Sequence, residues 1–264
     1  MFLFFPVVTI LYFLLENRFR WILLLLASCW FYMAFVPIYI LIILFIVLVD
    51  YISGIKIEAS GELKRRAVLV LCVAANLGVL IFFKYYNFIN ENLCALLNRI
   101  DLGYCLPHLS IILPIGLSFY VFQSLSYIIE VYRGTQSAER HLGRLALFVM
   151  FYPQLVAGPI ERPQNLIHQL KEEHKFNAVR VIGGLKLMLW GLFKKIVIAD
   201  RLAIIVDNVY NHPAEFSGPH FAVATVFFAY QIYCDFSGYS DIAIGVAQVM
   251  GIKLMLNFNR PYAA

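Results

Sequence analysis

The chain has 264 residues, of which 62% are apolar and only 14% are charged. Soluble domains carry about 25% charged residues, so this composition excludes a soluble globule, a disordered chain and a nucleic-acid-binding module. The 21 Lys and Arg against 16 Asp and Glu give a net charge of +5, which indicates basic loops on the cytoplasmic side of a membrane. The composition therefore predicts an all-α, polytopic membrane protein that is embedded in the lipid bilayer.

Long apolar stretches follow one another along the chain. A bilayer core requires about 20 mostly apolar residues in a helix, and the apolar stretches are 2–15, 21–49, 67–83, 109–131, 142–160, 181–206 and 221–256. The stretch 21–49 is too long for one helix, and Pro37 near its middle predicts two spans joined there. The last stretch contains CDFSGYSD, which predicts two helices or one broken helix. In total we expect about seven to nine hydrophobic helices.

Loop charges predict the orientation of these helices. Lys and Arg concentrate in cytoplasmic loops, which assigns 16–20, 54–66, 132–144 and 161–180 to the cytoplasmic side and 84–107 and 207–220 to the outside. Cytoplasmic loops then flank 142–160, so that stretch cannot be a simple single crossing. Its FYPQLVAGP run predicts a re-entrant or interfacial segment. The stretch 161–180 predicts a helix at the cytoplasmic interface, with a plain solvated helix as the alternative.

Polar side chains within the stretch 113–127 are the first candidates for function, because polar groups at membrane depth are costly. Tyr120, Ser124 and Tyr127 are spaced three to four residues apart and share one helical face. Gln123 lies beside them in the sequence. Hydrogen bonds that join neighbouring helices are the alternative role for residues of these types.

The run FYPQLVAGPIERPQ, at 151–164, is the second candidate. Its prolines free backbone carbonyl groups, and Gly158 allows close approach of other groups. Non-helical backbone persists at membrane depth only where protein buries it or where it lines a cavity. The run therefore predicts a cavity wall, with a loop lying at the membrane interface as the alternative.

Charged residues inside the last two apolar stretches are the remaining candidates. Lys194 and Lys195 interrupt GLFKKIVIADR, where they would hold an anionic group or, alternatively, reach the membrane surface or meet a carboxylate. Asp235 and Asp241 should face a cavity or pair with a cation. A helix broken at Gly238 would let backbone groups line a polar site between the two carboxylates.

Motifs for other chemistries are missing from the sequence. It contains no CxxC pair, HExxH, G-x-S-x-G elbow, Walker loop or G-x-G-x-x-G. We therefore expect no metal site, no tightly bound cofactor and no nucleic-acid partner. Cys94 and Cys105 share one polar connection and would pair if it faces an oxidising space, and buried reduced thiols are the alternative.

Several motifs occur in order over nearly the whole chain: LLLLASCWFYMAF, LVDYISG, FFKYYNF, LPIGLSFYVFQSLSYIIEVYRG, FYPQLVAGPIERP, GLFKKIVIADRLA, YCDFSGYSDIAIG and LNFNRPY. In this order they resemble the membrane-bound O-acyltransferase family, in particular its bacterial branch that O-acetylates alginate and related exopolysaccharides. A teichoic-acid D-alanylation relative shares GLSFYVFQ-like and DFSGYSD-like stretches. The resemblance implies a ring of tilted helices around a tunnel that joins the two membrane faces.

The resemblance also implies a catalytic His in a Trp-His motif, on a helix that begins shortly after NFNRPY. The sequence ends at Ala264, and none of its three tryptophans precedes a His. We therefore expect 1–264 to be one transmembrane domain, truncated before that helix, with no catalytic residue and no activity on its own. The candidate tunnel- or substrate-lining residues are Tyr120, Gln123, Ser124, Gln154, Gly158, Pro159, Asp235, Ser237 and Asp241.

As a whole, the resemblance implies an acyltransferase of the bacterial cytoplasmic membrane. The acyl donor, of unknown identity, would bind on the cytoplasmic side. The acetyl group would pass to an exported polysaccharide such as alginate, directly or through a periplasmic or extracellular partner protein. D-alanyl transfer to teichoic acid is one alternative. A transporter or a non-catalytic membrane scaffold is another, since a broken helix with two carboxylates also suits a transporter.

Overall fold

The computed structural model describes residues 3–99, 106–110, 112–259 and 262. These residues form helices and no strand, which confirms the predicted all-α class. The helices are α1 (Phe4–Leu14), α2 (Asn17–Met33), α3 (Ile40–Ala59), α4 (Glu62–Asn98), α5 (Leu117–Arg133), α6 (Leu142–Met150), α7 (Pro163–Gln169), α8 (Ala178–Leu192), α9 (Asp200–Asn211) and α10 (Gly218–Met250). Cys94 is disulfide-bonded, whereas Cys105 lies outside the described residues, so their pairing stays a prediction.

The long apolar stretch near the N-terminus divides where the sequence predicts. Helix α2 ends at Met33, a 3₁₀ turn spans Pro37–Tyr39, and α3 begins at Ile40. Val36 adopts extended backbone, with φ −135° and ψ 101°, because the proline ring that follows disfavours the helical conformation at the preceding residue. The break at Pro37 is confirmed.

Among the described residues, two helices are long and apolar enough to cross a membrane: Pro37–Ala59 and Glu62–Asn98. The second has 37 residues and is therefore about 55 Å long, well beyond the roughly 30 Å of a hydrocarbon core. The prediction that 84–107 forms a connecting loop is wrong for 84–98, which continue α4. That part of the sequence contains neither Gly nor Pro, so nothing in it ends the helix.

Three further predicted elements differ from the structure. Helix α5 begins at Leu117 rather than at 109, after Pro114 and the left-handed Gly116, whose φ is 73°. The predicted interfacial helix over 161–180 is wrong, because only Pro163–Gln169 and the first three residues of α8 are helical within it. Helix α8 begins at Ala178 rather than at 181, because Asn177 caps it by accepting the Arg180 backbone N–H at 2.9 Å.

The predicted break near Gly238 is also wrong. Helix α10 runs without interruption for 33 residues, from Gly218 to Met250. Gly238 serves close packing instead, since a Cβ added there would lie 2.8 Å from the carbonyl oxygen of Gly191 on α8. One glycine within a helix costs only about 1 kcal/mol relative to Ala, so it does not by itself end a helix.

The chain divides into two compact units. The terminal unit consists of Met1–Leu24, Phe151–Glu161 and Asn165–Ala264, and the central unit of Leu25–Met150 and Arg162–Gln164. The expectation of a single transmembrane domain over 1–264 stays a prediction.

In the terminal unit, α8 and α10 approach each other through paired glycines. A Cβ added to Gly191 would lie 2.5 Å from the Gly238 carbonyl oxygen, and one added to Gly245 would lie 2.6 Å from the Gly184 carbonyl oxygen. On α8, Gly184 and Gly191 are seven residues apart, and on α10 so are Gly238 and Gly245, which is about two helical turns. Small residues at this spacing let two helix backbones pack in direct contact, as is common in membrane proteins.

In the central unit, the core forms where α3, α4, α5 and α6 pack together. Its largest buried side chains include Tyr127 and Phe148, whose ring centroids are 6.3 Å apart. Gly54 on α3 makes room for α5, since an added Cβ would lie 2.9 Å from the Tyr127 hydroxyl oxygen. By contrast, most of the apolar surface of α4 is left exposed, as expected of a helix that faces lipid.

Candidate functional site

A fully buried carboxyl group lies at the centre of the central unit. Asp50, on α3, is 0% exposed. Its Oδ1 accepts a hydrogen bond from Asn76 Nδ2 at 2.9 Å and one from Cys72 Sγ at 3.2 Å. Its Oδ2 accepts the Ser124 hydroxyl. Three helices thus meet on one carboxyl group, and this set of four residues is called the Asp50 cluster below.

The sequence assembles the Asp50 cluster from short-range spacing and helix packing. Cys72 and Asn76 are four residues apart on α4 and therefore share one face, while Asp50 and Ser124 belong to α3 and α5. For Ser124, the structure shows the alternative that its sequence context left open, a hydrogen bond between helices. Asp50 was not among the predicted site residues, although it is the one charged residue within the apolar run 40–55.

The other predicted residues of α5 are also buried. Tyr120 is 1% exposed, and its ring meets that of Tyr32 edge-on at 6.2 Å between centroids. Gln123 donates to the carbonyl oxygen of Phe148 at 3.4 Å. Tyr127 accepts the backbone N–H of Glu139 at 2.9 Å through its hydroxyl oxygen. These residues connect α5 to its neighbours within the central unit, and a tunnel-lining role for Tyr120, Gln123 and Ser124 stays a prediction.

The run predicted to be a cavity wall folds into consecutive turns between α6 and α7. The Gly158 N–H donates to the Gln154 carbonyl oxygen at 3.0 Å. A Cβ added to Gly158 would lie 2.3 Å from Gln154 Cα, so this turn accepts only glycine. Gln154 and Pro159 are both buried. The absence of a helix fits the predicted re-entrant or interfacial segment, and its position in the membrane stays a prediction.

A second buried carboxylate follows this run and was not predicted. Glu161 is 0% exposed. It accepts Asn165 Nδ2 at 2.7 Å and the backbone N–H of Met255. Glu161 thereby fastens the segment that follows α10 to the start of α7. Its position as the only carboxylate in the apolar and proline-rich run AGPIERP was the signal that would have identified it.

Two ion-pair groups join the helices of the terminal unit. Lys194 Nζ lies 2.7 Å from Asp241 Oδ2, with both side chains under one fifth exposed. Lys195 Nζ lies 2.6 Å from Asp235 Oδ1 and 2.9 Å from Asp200 Oδ1. The two lysines belong to a π-helical segment, Phe193–Ala199, and such segments are frequent at functional sites.

Ion pairing is the alternative role that the sequence left open for Lys194, Lys195, Asp235 and Asp241. The two aspartates differ in exposure, since the Asp235 side chain is 49% exposed and that of Asp241 is 18%. Between them, the Ser237 hydroxyl is buried and has no hydrogen-bond partner among the described residues. A tunnel-lining role for Asp235, Ser237 and Asp241 stays a prediction.

The candidate residues divide between the two units. Tyr120, Gln123 and Ser124 belong to the central unit, and Gln154, Gly158, Pro159, Asp235, Ser237 and Asp241 to the terminal unit. Within the part of the chain that the structure describes, His, Cys, Asp and Glu side chains do not assemble into a group of three that could hold a metal ion.

Known proteins that match this chain include several acyltransferases. A probable alginate O-acetylase of Pseudomonas aeruginosa is 40% identical over 266 residues, which cover 99% of this chain and 50% of that protein. A peptidoglycan O-acetyltransferase of Helicobacter pylori is 31% identical over 295 residues, covering 100% of this chain and 55% of that protein. A teichoic acid D-alanyltransferase of Bacillus subtilis is 30% identical over 163 residues, covering 59% of this chain and 40% of that protein.

No family model matches the chain. The chain spans about half the length of the O-acetylating relatives it matches. The match to the D-alanyltransferase is weaker because it covers less of both proteins. The relatives confirm the resemblance that the ordered motifs predict, to the membrane-bound O-acyltransferase family and its alginate O-acetylase branch.

Proposed function

We propose that the protein containing this chain transfers an acetyl group to hydroxyl groups of an exported polysaccharide such as alginate. The observation that carries the proposal is the match to alginate O-acetylases over 99% of the chain at 40% identity. In such a transfer the hydroxyl oxygen attacks the acyl carbon, the hydroxyl proton passes to a base, and the bond from the acyl group to its donor breaks.

The proposal extends to the setting of the reaction. The protein crosses the bacterial cytoplasmic membrane several times, takes the acyl group from a donor on the cytoplasmic side and binds no cofactor tightly. The acetyl group reaches the polysaccharide directly or through a partner protein outside. The basic loops and the apolar helices α3 and α4 support the membrane setting.

Within this chain, we assign Asp235 to the wall of the path that the substrates follow. Its carboxylate is half-exposed on an apolar helix, and a charge at membrane depth requires water or polar groups around it. Lys195 then holds the carboxylate in place rather than neutralising it completely. Asp241 is more deeply buried, and its ion pair with Lys194 would stabilise the same wall without contacting the substrate.

Deleting the gene from its own host and restoring it on a plasmid tests the proposal. The alkali-labile acetate on the exported polysaccharide should disappear in the deletion strain and return on complementation, while the amount of polysaccharide stays similar. If the acetate content is unchanged in the deletion strain, the proposed function is wrong.

A second candidate function is D-alanyl transfer, which the relative from Bacillus subtilis favours. The same strains decide between the two, since loss of ester-linked D-alanine with normal acetate would support this alternative. If the exported polysaccharide itself disappears, a transporter or scaffold role explains the result better than acyl transfer.

A further inference from the structure

A cleft opens in the terminal unit where α8 begins and α10 ends. It encloses about 350 Å³, which falls within the roughly 300–1,000 Å³ of small-ligand pockets. This feature is called the basic cleft below, and its walls are Arg180, Ile244, Gln248, Gly251, Ile252, Lys253 and Leu254. None of these residues belongs to the candidate site described above.

Local structure brings two cations to the basic cleft. Arg180 lies in the first turn of α8, which contains no acidic side chain. At the end of α10, Gly251 takes a left-handed conformation with φ 98° and turns the chain back. This turn is closed by the Ile252 N–H, which donates to the Ala247 carbonyl oxygen at 2.9 Å. Lys253 follows this turn and therefore comes to lie near Arg180.

The positive charge of the basic cleft is not balanced within the described residues. Neither Arg180 nor Lys253 forms an ion pair there. Arg180 is held by its Nη2, which donates to the Lys175 carbonyl oxygen at 2.6 Å, while its buried Nε has no acceptor. The first turn of a helix is itself electropositive, so Arg180 adds charge of the same sign. An anion in the cleft would offset both.

The acidic side chain of Glu161 is engaged elsewhere. Glu161 contacts the same segment, but it accepts the Met255 backbone N–H and Asn165 Nδ2 and does not line the cleft. The rest of the lining is largely apolar and comes from Ile244, Ile252 and Leu254, each less than 9% exposed. The basic cleft thus combines two cations with an apolar wall.

We propose that the basic cleft binds a ligand that carries a phosphate group next to an apolar or extended chain. Arg180 and Lys253 hold the phosphate, and the chain lies along the aliphatic wall. Arginine and lysine are the side chains that bind phosphate most often. Loop charge predicts that the neighbouring stretch 161–180 faces the cytoplasm, and two cytoplasmic sources have this chemistry: an anionic phospholipid and a phosphate-bearing acyl carrier.

Ligand binding to the complete protein, purified from its whole reading frame, tests the proposal. The probes are coenzyme A and a short-chain phosphatidylglycerol, each titrated against the wild type, Arg180→Gln/Lys253→Gln and Lys186→Gln. Lys186 is an exposed cation on the same helix as Arg180, outside the cleft, so its substitution controls for the loss of a positive charge elsewhere on that helix. At least one probe should bind the wild type and the control alike, and at least tenfold more weakly to the double variant.

The identity of the probe that binds separates the two sources. Phosphatidylglycerol alone would make the cleft a lipid site, and coenzyme A would make it a donor site, which is the only arm that rests on the proposed function. The proposal is overturned if neither probe binds the wild type, or if all three proteins bind equally.

Two controls keep this result separate from folding and from acyl transfer. If the double variant does not fold, the single variant Lys253→Gln replaces it in the binding test. The Lys253 side chain is exposed, so its substitution should not disturb folding. We expect this variant to bind the probe at least threefold more weakly than the wild type. Because the readout is binding, it does not depend on polysaccharide acetylation. An active protein with an empty cleft would refute only this proposal, and an inactive one that binds a probe would refute only the proposed function.

Discussion

Two regions of this chain hold carboxyl groups inside apolar helices in contrasting ways. In the central unit, Asp50 is completely buried and is held by hydrogen bonds from three neutral side chains. In the terminal unit, Asp235 and Asp241 are held by lysines, and the Asp235 side chain remains 49% exposed. The first arrangement leaves no open face for a substrate, whereas the second does.

Exposure and the type of partner together distinguish structural from functional carboxyl groups in a membrane protein. Polar residues at membrane depth are functional candidates by default, but a fully buried group that satisfies three neighbouring helices already has a structural role. A half-exposed carboxylate that is fixed by a lysine retains an accessible face. On this basis, we infer that Asp50 is structural, and we propose Asp235 as the residue available to a substrate.

The largest effect on stability is expected from removing the central carboxyl group. Asp50→Ala removes the acceptor that Cys72, Asn76 and Ser124 share and opens a cavity, so the free energy of unfolding should fall by roughly 2–5 kcal/mol. Thermal unfolding in detergent measures this change. Asp207→Ala, which removes an exposed aspartate from α9, is the control and should leave the midpoint nearly unchanged. Equal effects of the two substitutions would show that the Asp50 cluster does not stabilise the fold.

Sequence reasoning could predict the apolar helices and the break at Pro37, because these follow from hydropathy and from the fixed geometry of proline. It could not predict the Asp50 cluster, whose members lie on three helices and up to 74 residues apart. Their meeting depends on which helix faces pack together. Spacing along a single helix relates Cys72 to Asn76, but it says nothing of their contact with Asp50.

The next effect concerns the glycines that bring α8 and α10 together. Gly191→Val should lower the free energy of unfolding by about 1–3 kcal/mol, since its side chain would meet the backbone of α10. The ion pairs of the terminal unit should weaken with it, because they depend on the same close approach. Gly78→Ala is the matched control, since its Cβ would enter open space. A Gly191→Val protein that melts like this control would contradict the described packing.

The glycines also show where a prediction from the sequence is wrong. Gly238 lies between two serines and two aspartates, a pattern that predicts a broken helix. The structure uses it for contact with Gly191, and the same pairing recurs at Gly184 and Gly245. The seven-residue spacing in both helices was present in the sequence, yet it identifies an interface only once the two helices are known to be partners.

The smallest effect is expected from the ion pairs themselves. A double-mutant cycle with Lys194→Met and Asp241→Asn should give a coupling energy of about 1–2 kcal/mol, because both side chains are largely buried. The pair of Lys195 and Asp235 is more exposed and should give less than about 1 kcal/mol. Thermal unfolding of the single and double variants supplies both values. If Lys195 and Asp235 are coupled more strongly than Lys194 and Asp241, the assignment of Asp235 to an accessible position is wrong.

We propose that Asp235 serves the reaction and that Asp50 serves the fold. The most direct test measures polysaccharide acetate per unit of membrane-inserted protein in cells that express the complete gene with Asp235→Asn or Asp50→Asn. We predict that Asp235→Asn loses acetylation at normal abundance, whereas Asp50→Asn loses abundance and acetylation in step. If abundance falls together with activity in Asp235→Asn, or if its activity is unchanged, Asp235 has only a structural role and the claim is contradicted.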